Sequence, residues 1–422
     1  MRKLLLPLAL ILAAAAPASA QAVAITGGKV VTNTGQGILE NATVVISNGR
    51  IVSVGTGAAP AGARVIDARG KWVTPGLFAA YAQLGLAEID GEDAANDTSA
   101  GDSVLQASQH AADAFNPDDT AIAVNRIEGV TRMALAVTPG KGLLGGYGAL
   151  ASTSGTFDSV TAREAFMLVT MGDAGASAAG GSRAASWAWL QAAIDDAKGY
   201  PGRYANGGEG DVLLRREASA FAPVVAGRIP VMVTAQRASD ILAVIALARR
   251  EPRMKFVILG AVEGWRVAPQ LAEARIPVVI NPVQNLPDSF ELLGATMENA
   301  ARLQAAGVTI AIADPNEASH NSRWIQQLAG NAVANGLPWQ AAFSAITRNP
   351  AMIHGRGDLG QLAAGATADV VIWDGDPLEL MSSPDAVFID GRETAMRSRQ
   401  TELRDRYLNP ADPLPPQYRP RN

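Results

Sequence analysis

A chain of 422 residues with 48% hydrophobic and 18% charged side chains has the apolar content of a folded protein, and its length suits one large α/β barrel or two to three domains. Its formal net charge of −5 argues against electrostatic recognition of nucleic acid. The lack of cysteine excludes disulfides, cysteine-ligated zinc, iron–sulfur clusters and thiol catalysis, and three histidines are few for a histidine-rich metal site.

Residues 1–20 read as an export signal. Arg2 and Lys3 precede an apolar run from Leu4 to Ala16, interrupted by Pro7, and Ala18-Ser19-Ala20 forms a small-x-small cleavage site. The run is shorter than the roughly 20 residues of a spanning helix. The expectation is cleavage after Ala20 and a periplasmic or secreted protein, with no membrane span left after signal removal.

Residues 21–74 read as short strands. Ala42–Ile46 and Arg50–Val54 flank Ser47-Asn48-Gly49, and an Asn-Gly pair between β-rich runs predicts a tight hairpin. From 75 to 355 short apolar strands alternate with helical stretches. The strand candidates are Leu77–Gln83, Arg132–Val137, Ala149–Thr153, Ala165–Met171, Val231–Ala235, Phe256–Gly260, Val278–Asn281 and Thr309–Asp314. Helices are expected over Ser239–Arg250 and Met297–Ala306. Eight buried strands with helical crossovers predict a parallel (β/α)8 barrel. Residues 356–395 return to β character with Ala368–Trp373 and Ala386–Ile389, in the style of the first block, and should complete one composite β-sandwich domain with it. The tail 396–422 is charged, then Pro-rich, and is expected to run extended over the surface.

These motifs together resemble the amidohydrolase superfamily. Thr74-Pro75-Gly76-Leu77 leads into Phe78-Ala79-Ala80-Tyr81-Ala82-Gln83, similar to the first barrel strand of that superfamily, where Pro-Gly-Leu precedes a His-x-His pair. Pro139-Gly140-Lys141-Gly142 with Gly145-Gly146 resembles the loop of its imidazolonepropionase-related branch. Thr347–Ala351, Gly355, Gly360-Gln361-Leu362, Gly365, Ala368–Val371 and Asp390-Gly391-Arg392 resemble its C-terminal signature. The resemblance implies a distorted (β/α)8 barrel with a β-domain built from both chain ends. It also implies, for active members, hydrolysis of amide or related C–N bonds at zinc or another divalent metal. Such a metal polarises the carbonyl and lowers the pKa of its water to about 7.

Carried over position by position, the ligand pattern is degenerate. The His-x-His pair falls on Tyr81 and Gln83, the bridging Lys or Glu on Leu168, the fifth-strand His on Thr234 and the sixth-strand His on Gly260. Asp314 keeps the eighth-strand Asp, which in the family takes the proton from the attacking water. One carboxylate among Tyr, Gln and Thr is a poor site for zinc, iron or nickel, so no metal cofactor is expected. The acidic stretch Glu88, Asp90, Glu92, Asp93, Asp97 and Asp102 lacks the ligand repeat of a calcium loop and reads as solvated.

Gln236, Glu263 and His320 are candidate pocket neighbours. His320 also reads as an ordinary loop histidine, and Glu263 with Trp265 as a helix start. His110 reads as part of a polar helix face. His354, at a helix end, reads as a cation suited to the helix dipole. No Gly-x-Ser-x-Gly motif supports a serine hydrolase, and Lys141 precedes its glycines, unlike a phosphate loop. Two functions follow. The first is a non-catalytic member that binds a small-molecule or peptide-like ligand, as a homo-oligomer or paired with an active paralogue. The second is a C–N hydrolase with atypical or no metal dependence.

Overall fold

The computed structural model describes residues 21–89 and 91–408. The expected signal segment 1–20, the tail end 409–422 and Asp90 lie outside the described residues. Among the described residues no helix is long and apolar enough to cross a membrane.

The first block forms β1 (Val23–Val31), β2 (Ile38–Ser47), β3 (Arg50–Gly55), β4 (Arg64–Asp67) and β5 (Trp72–Pro75). The β2–β3 turn is the one the Asn-Gly pair predicts: Asn48 and Gly49 both take positive φ, +48° and +75°, as a two-residue hairpin turn with the strands' own twist requires. β1 runs antiparallel to β2 and parallel to β4 and β5.

Pro75-Gly76 leads from this sheet into the barrel. A Cβ at Gly76 would lie 2.2 Å from Thr131 Oγ1, so the crossing admits only glycine. The barrel strands are β6 (Leu77–Ala82), β7 (Val130–Leu135), β8 (Leu144–Ser152), β9 (Val160–Val169), β10 (Val231–Ala235), β11 (Phe256–Gly260), β12 (Val278–Ile280) and β13 (Ile310–Ile312). They pair in chain order, and β13 comes back against β6, so the barrel is nearly closed. Helices Arg183–Gly199, Arg215–Val225, Ala238–Arg250, Ala268–Ala274 and Asn299–Ala305 are among those connecting them.

One strand departs from the all-parallel expectation. β8 runs antiparallel to both β7 and β9, and it begins at Leu144, so Gly145 and Gly146 lie inside a strand and not in a loop. The segments 136–143 and 153–159 explain this. A parallel crossover needs about a dozen residues or more, and these segments are shorter.

The chain then returns to the first sheet as β14 (Val370–Trp373), β15 (Pro384–Ile389) and β16 (Arg392–Glu393). β14 docks antiparallel on β5, giving one eight-stranded mixed sheet from both ends of the chain. Ile25, Val44, Ile46, Val73, Val370 and Phe388 form its core. The two units share a buried ion pair. Arg132 on β7 reaches Asp369 through Nε and Nη2 (2.6 and 2.9 Å) and Asp390 (2.6 Å). Burial opposes this charge, but the two carboxylates hold the guanidinium above its ordinary pKa range.

The tail is not extended throughout. Arg399–Leu408 is a helix lying against helix Thr120–Ile127. His354 also differs from its sequence reading. It is buried between the rings of Phe78 and Phe166, and burial lowers its pKa to about 4, so it is neutral and cannot serve the helix dipole as a cation.

Candidate functional site at the barrel mouth

Every residue of β6 is buried, because one face meets the barrel interior and the other meets the surrounding helices. A register shift between Ala79 and Ala82 puts both Ala80 and Tyr81 into the interior cluster with Phe78, Leu168, Met232 and Leu259. Tyr81 is 4% exposed, and burial pushes its phenol well above the ordinary range, so it stays neutral. Gln83 follows the strand and donates through Nε2 to the Ala136 carbonyl (3.3 Å). Leu168 faces the interior from β9 and has no donor atom.

Thr234 is the penultimate residue of β10, and its hydroxyl is committed. Oγ1 accepts from Met171 N–H (2.7 Å) and donates to Met171 O (3.1 Å), tying the ends of β9 and β10 together. Gly260 ends β11 at φ +105°, and a Cβ there would lie 2.3 Å from both Nε2 and Oε1 of Gln236. The Gln236 amide therefore fills the space where a side chain at 260 would start. Its Oε1 is buried without a partner in the described residues.

Asp314 follows β13. Its Oδ1 accepts from Asn316 N–H (3.1 Å), and its carboxyl also bonds the Asn281 side chain at the end of β12. Burial raises its pKa, the Asn316 N–H opposes that, and nearby Glu317 adds to it. Glu263 is mostly a structural cap: Oε2 accepts from Ala238 N–H (2.9 Å) at the start of a helix, and Oε1 pairs with Arg266 (3.2 Å). His320 bonds Ser319 through Nδ1 (3.0 Å), and its backbone carbonyl accepts from Asn125 Nδ2 (2.8 Å) on helix Thr120–Ile127. The acidic stretch after β6 is used locally: Asp102 pairs with Lys141 (2.5 Å) and Glu88 accepts from Asn116 (2.5 Å).

Sequence reasoning missed a charge cluster near the same strand ends. Arg183 meets Asp173 (2.5 Å), Glu291 (3.0 Å) and Asp240 (3.2 Å), and Glu291 also accepts from Asp173 N–H (2.9 Å). Burial, with Asp173 and Asp240 adding to it, raises the Glu291 pKa. These residues come from three distant segments, and no spacing links them. A guanidinium fills the centre, so the cluster is a salt network and not an open cation site.

The donor set does not fit a catalytic divalent metal. Leu168 and Gly260 offer no donor, the Thr234 hydroxyl is used twice, Tyr81 is a buried neutral phenol, and one carboxylate remains. Among the described residues no group of three or more His, Asp or Glu side chains is arranged to hold a metal ion.

Residues 260–394 match the amidohydrolase family. A stretch of 72 residues is 40% identical to amidohydrolase tasK of Hapsidospora irregularis, but it is 17% of this chain and only 7% of that protein's length. A solved amidohydrolase from Thermotoga maritima MSB8 superposes with a TM-score of 0.80 at 26% identity, covering 89% of this chain and all of that one. A prolidase solved with N-methylphosphonate-L-proline (TM-score 0.55, 17% identity, 89% of this chain and 100% of that one) shares the fold. So does molinate hydrolase (0.53, 19%, 96% and 99%).

Proposed function

From an amidohydrolase-family chain with this barrel mouth, we propose a non-catalytic function: an exported binding or partner subunit that has given up metal-dependent hydrolysis. The carrying observation is the donor set, in which Asp314 alone of the expected ligand positions bears a carboxylate and none bears an imidazole. Such a subunit would act as a homo-oligomer or beside an active paralogue, with a small-molecule or peptide-like ligand in the mouth between Gln83, Gln236 and Asp314. The Pro139–Gly142 loop supports descent from the imidazolonepropionase-related branch.

Elemental analysis of dialysed protein tests the reading. Far less than one zinc, iron, nickel or manganese per chain is expected, because affinity needs a complete ligand set. A stoichiometric metal that disappears in Asp314→Ala would overturn it.

One observation favours a second reading, a C–N hydrolase of atypical metal dependence. Asp314 is a half-buried carboxylate with a raised pKa at the strand end where the family places its proton acceptor. Hydrolysis of dipeptides, N-acyl amino acids or cyclic amides, abolished by Asp314→Asn, would establish that reading and remove the first.

A further inference from the structure

The barrel has a second opening, at the end opposite Asp314. A cavity of about 790 Å³ lies where β10, β11 and β12 begin, walled by Leu150, Met254, Phe256, Val257, Ile276 and Ile353. Three cations stand in it: Arg228 just before β10, Lys255 just before β11 and Arg275 just before β12. None of them makes an ion pair or a side-chain hydrogen bond among the described residues. A fourth, Arg356, is paired with Asp358 (2.9 Å). The one carboxylate among the lining residues is Glu164, which has His110 Nδ1 at 4.0 Å.

The inner wall carries an unmet polar group as well. His354, 8% exposed, places Nε2 3.2 Å from the Ala80 carbonyl, so that nitrogen holds the proton. Its Nδ1 is left as a bare acceptor, buried and without a partner among the described residues. Buried polar atoms without partners are uncommon in folded proteins. The cavity thus combines an apolar interior with a rim where Arg228, Lys255 and Arg275 outnumber the single carboxylate, Glu164.

We propose that this cavity binds an amphipathic monoanion, a medium-chain carboxylate whose head lies among Arg228, Lys255 and Arg275 and whose chain lies along Leu150, Met254, Phe256 and Ile353. Barrels of this class do their chemistry at the other end, so the site is a ligand pocket separate from the mouth. It stands whether or not Asp314 is catalytic. Neither half of the recognition suffices alone. The rim is open to solvent, where a charge pair contributes up to about 1 kcal/mol, roughly five-fold in affinity. The chain supplies the rest by leaving water.

Calorimetry with sodium octanoate, octan-1-ol and inorganic phosphate tests this on the mature protein. Octanoate should bind saturably with one site per chain, octanol about five-fold or more weaker, and phosphate weaker still. Arg228→Gln, Lys255→Gln and Arg275→Gln should each weaken octanoate up to about five-fold. All three residues are exposed, so the variants should fold, as circular dichroism would check. Arg253→Gln, an exposed neighbour outside the lining, should leave binding unchanged. The proposal falls if octanoate shows no saturable binding, if octanol or phosphate binds as tightly as octanoate, or if Arg253→Gln weakens binding as much as the rim substitutions do.

Discussion

Installing histidines at the expected ligand positions tests the assignment of the barrel mouth most directly. The obvious variant places His at 81, 83, 234 and 260. The structure shows why that alone should fail. A Cβ at Gly260 would lie 2.3 Å from the Gln236 amide, and a non-glycine residue at φ +105° is strained by about 1–2 kcal/mol. Thr234→His also breaks two hydrogen bonds to Met171, worth about 1 kcal/mol each. The total is roughly 3–4 kcal/mol, within the stability of an ordinary domain, but Gln236 would still occupy the new imidazole's space. Adding Gln236→Ala removes that obstacle. The five-substitution variant should then take up one Co²⁺ per chain, seen by its visible absorption and by calorimetry. The four-substitution variant, keeping Gln236, should bind at least about tenfold more weakly, the cost of about 1.4 kcal/mol for expelling a buried amide. Register makes the experiment informative at 82 against 83, because the shift between Ala79 and Ala82 turns both Ala80 and Tyr81 inward and leaves Ala82 in the outer cluster. A folded five-substitution variant without metal uptake, beside a binding control with His at 80 and 82, would refute the assignment.

Much of the fold was legible because it rests on local patterns. The Asn48-Gly49 turn, the apolar strands Val231–Ala235 and Phe256–Gly260, and the return of β14 to the first sheet all follow from turn chemistry and burial period. β8 was misread because an apolar run fixes a strand but not its direction. The information lay in the short lengths of 136–143 and 153–159. His354 was misread because helix position suggested a charge, while its environment is set by Phe78 and Phe166, distant in sequence. At the mouth, which positions lack donors could be read residue by residue. The Gln236 amide over Gly260, the double bond of Thr234 to Met171 and the Arg183 network could not, because each joins the ends of different strands.

Four further outcomes are expected. Excess EDTA should leave the thermal midpoint unchanged, since strand and helix packing builds the core, and a fall of many degrees would reveal a structural ion. Glu217→Ala should increase hydrogen exchange across 100–110, because this buried carboxylate accepts from the N–H groups of Gln106 (2.7 Å), Ala107 (2.6 Å) and Ser108 (3.2 Å), and unchanged protection would show the loop is held otherwise. His354, lowered from its ordinary 6.5 to about 4 in the folded state, contributes stability that is present above pH 6.5 and lost as pH falls toward 4, up to about 3 kcal/mol; His354→Gln should flatten urea-unfolding stability across that window, and an unaltered slope would contradict the burial argument. Arg132→Met should be the most damaging of these changes. It strands the Asp369 carboxylate, 3% exposed in its side chain, with the Asp390 N–H (3.0 Å) as its remaining hydrogen-bond donor among the described residues, and removing one member of a buried pair costs about 3–5 kcal/mol. The double variant Arg132→Met/Asp369→Leu should recover part of that loss, because no uncompensated charge remains. Since this pair joins β7 to the β14 end of the other sheet, the two units should also lose cooperativity in the single variant, separating the unfolding curves of a probe in each. A single variant within about 1 kcal/mol of the parent, or a double variant worse than the single, would show that the pair does not carry the junction.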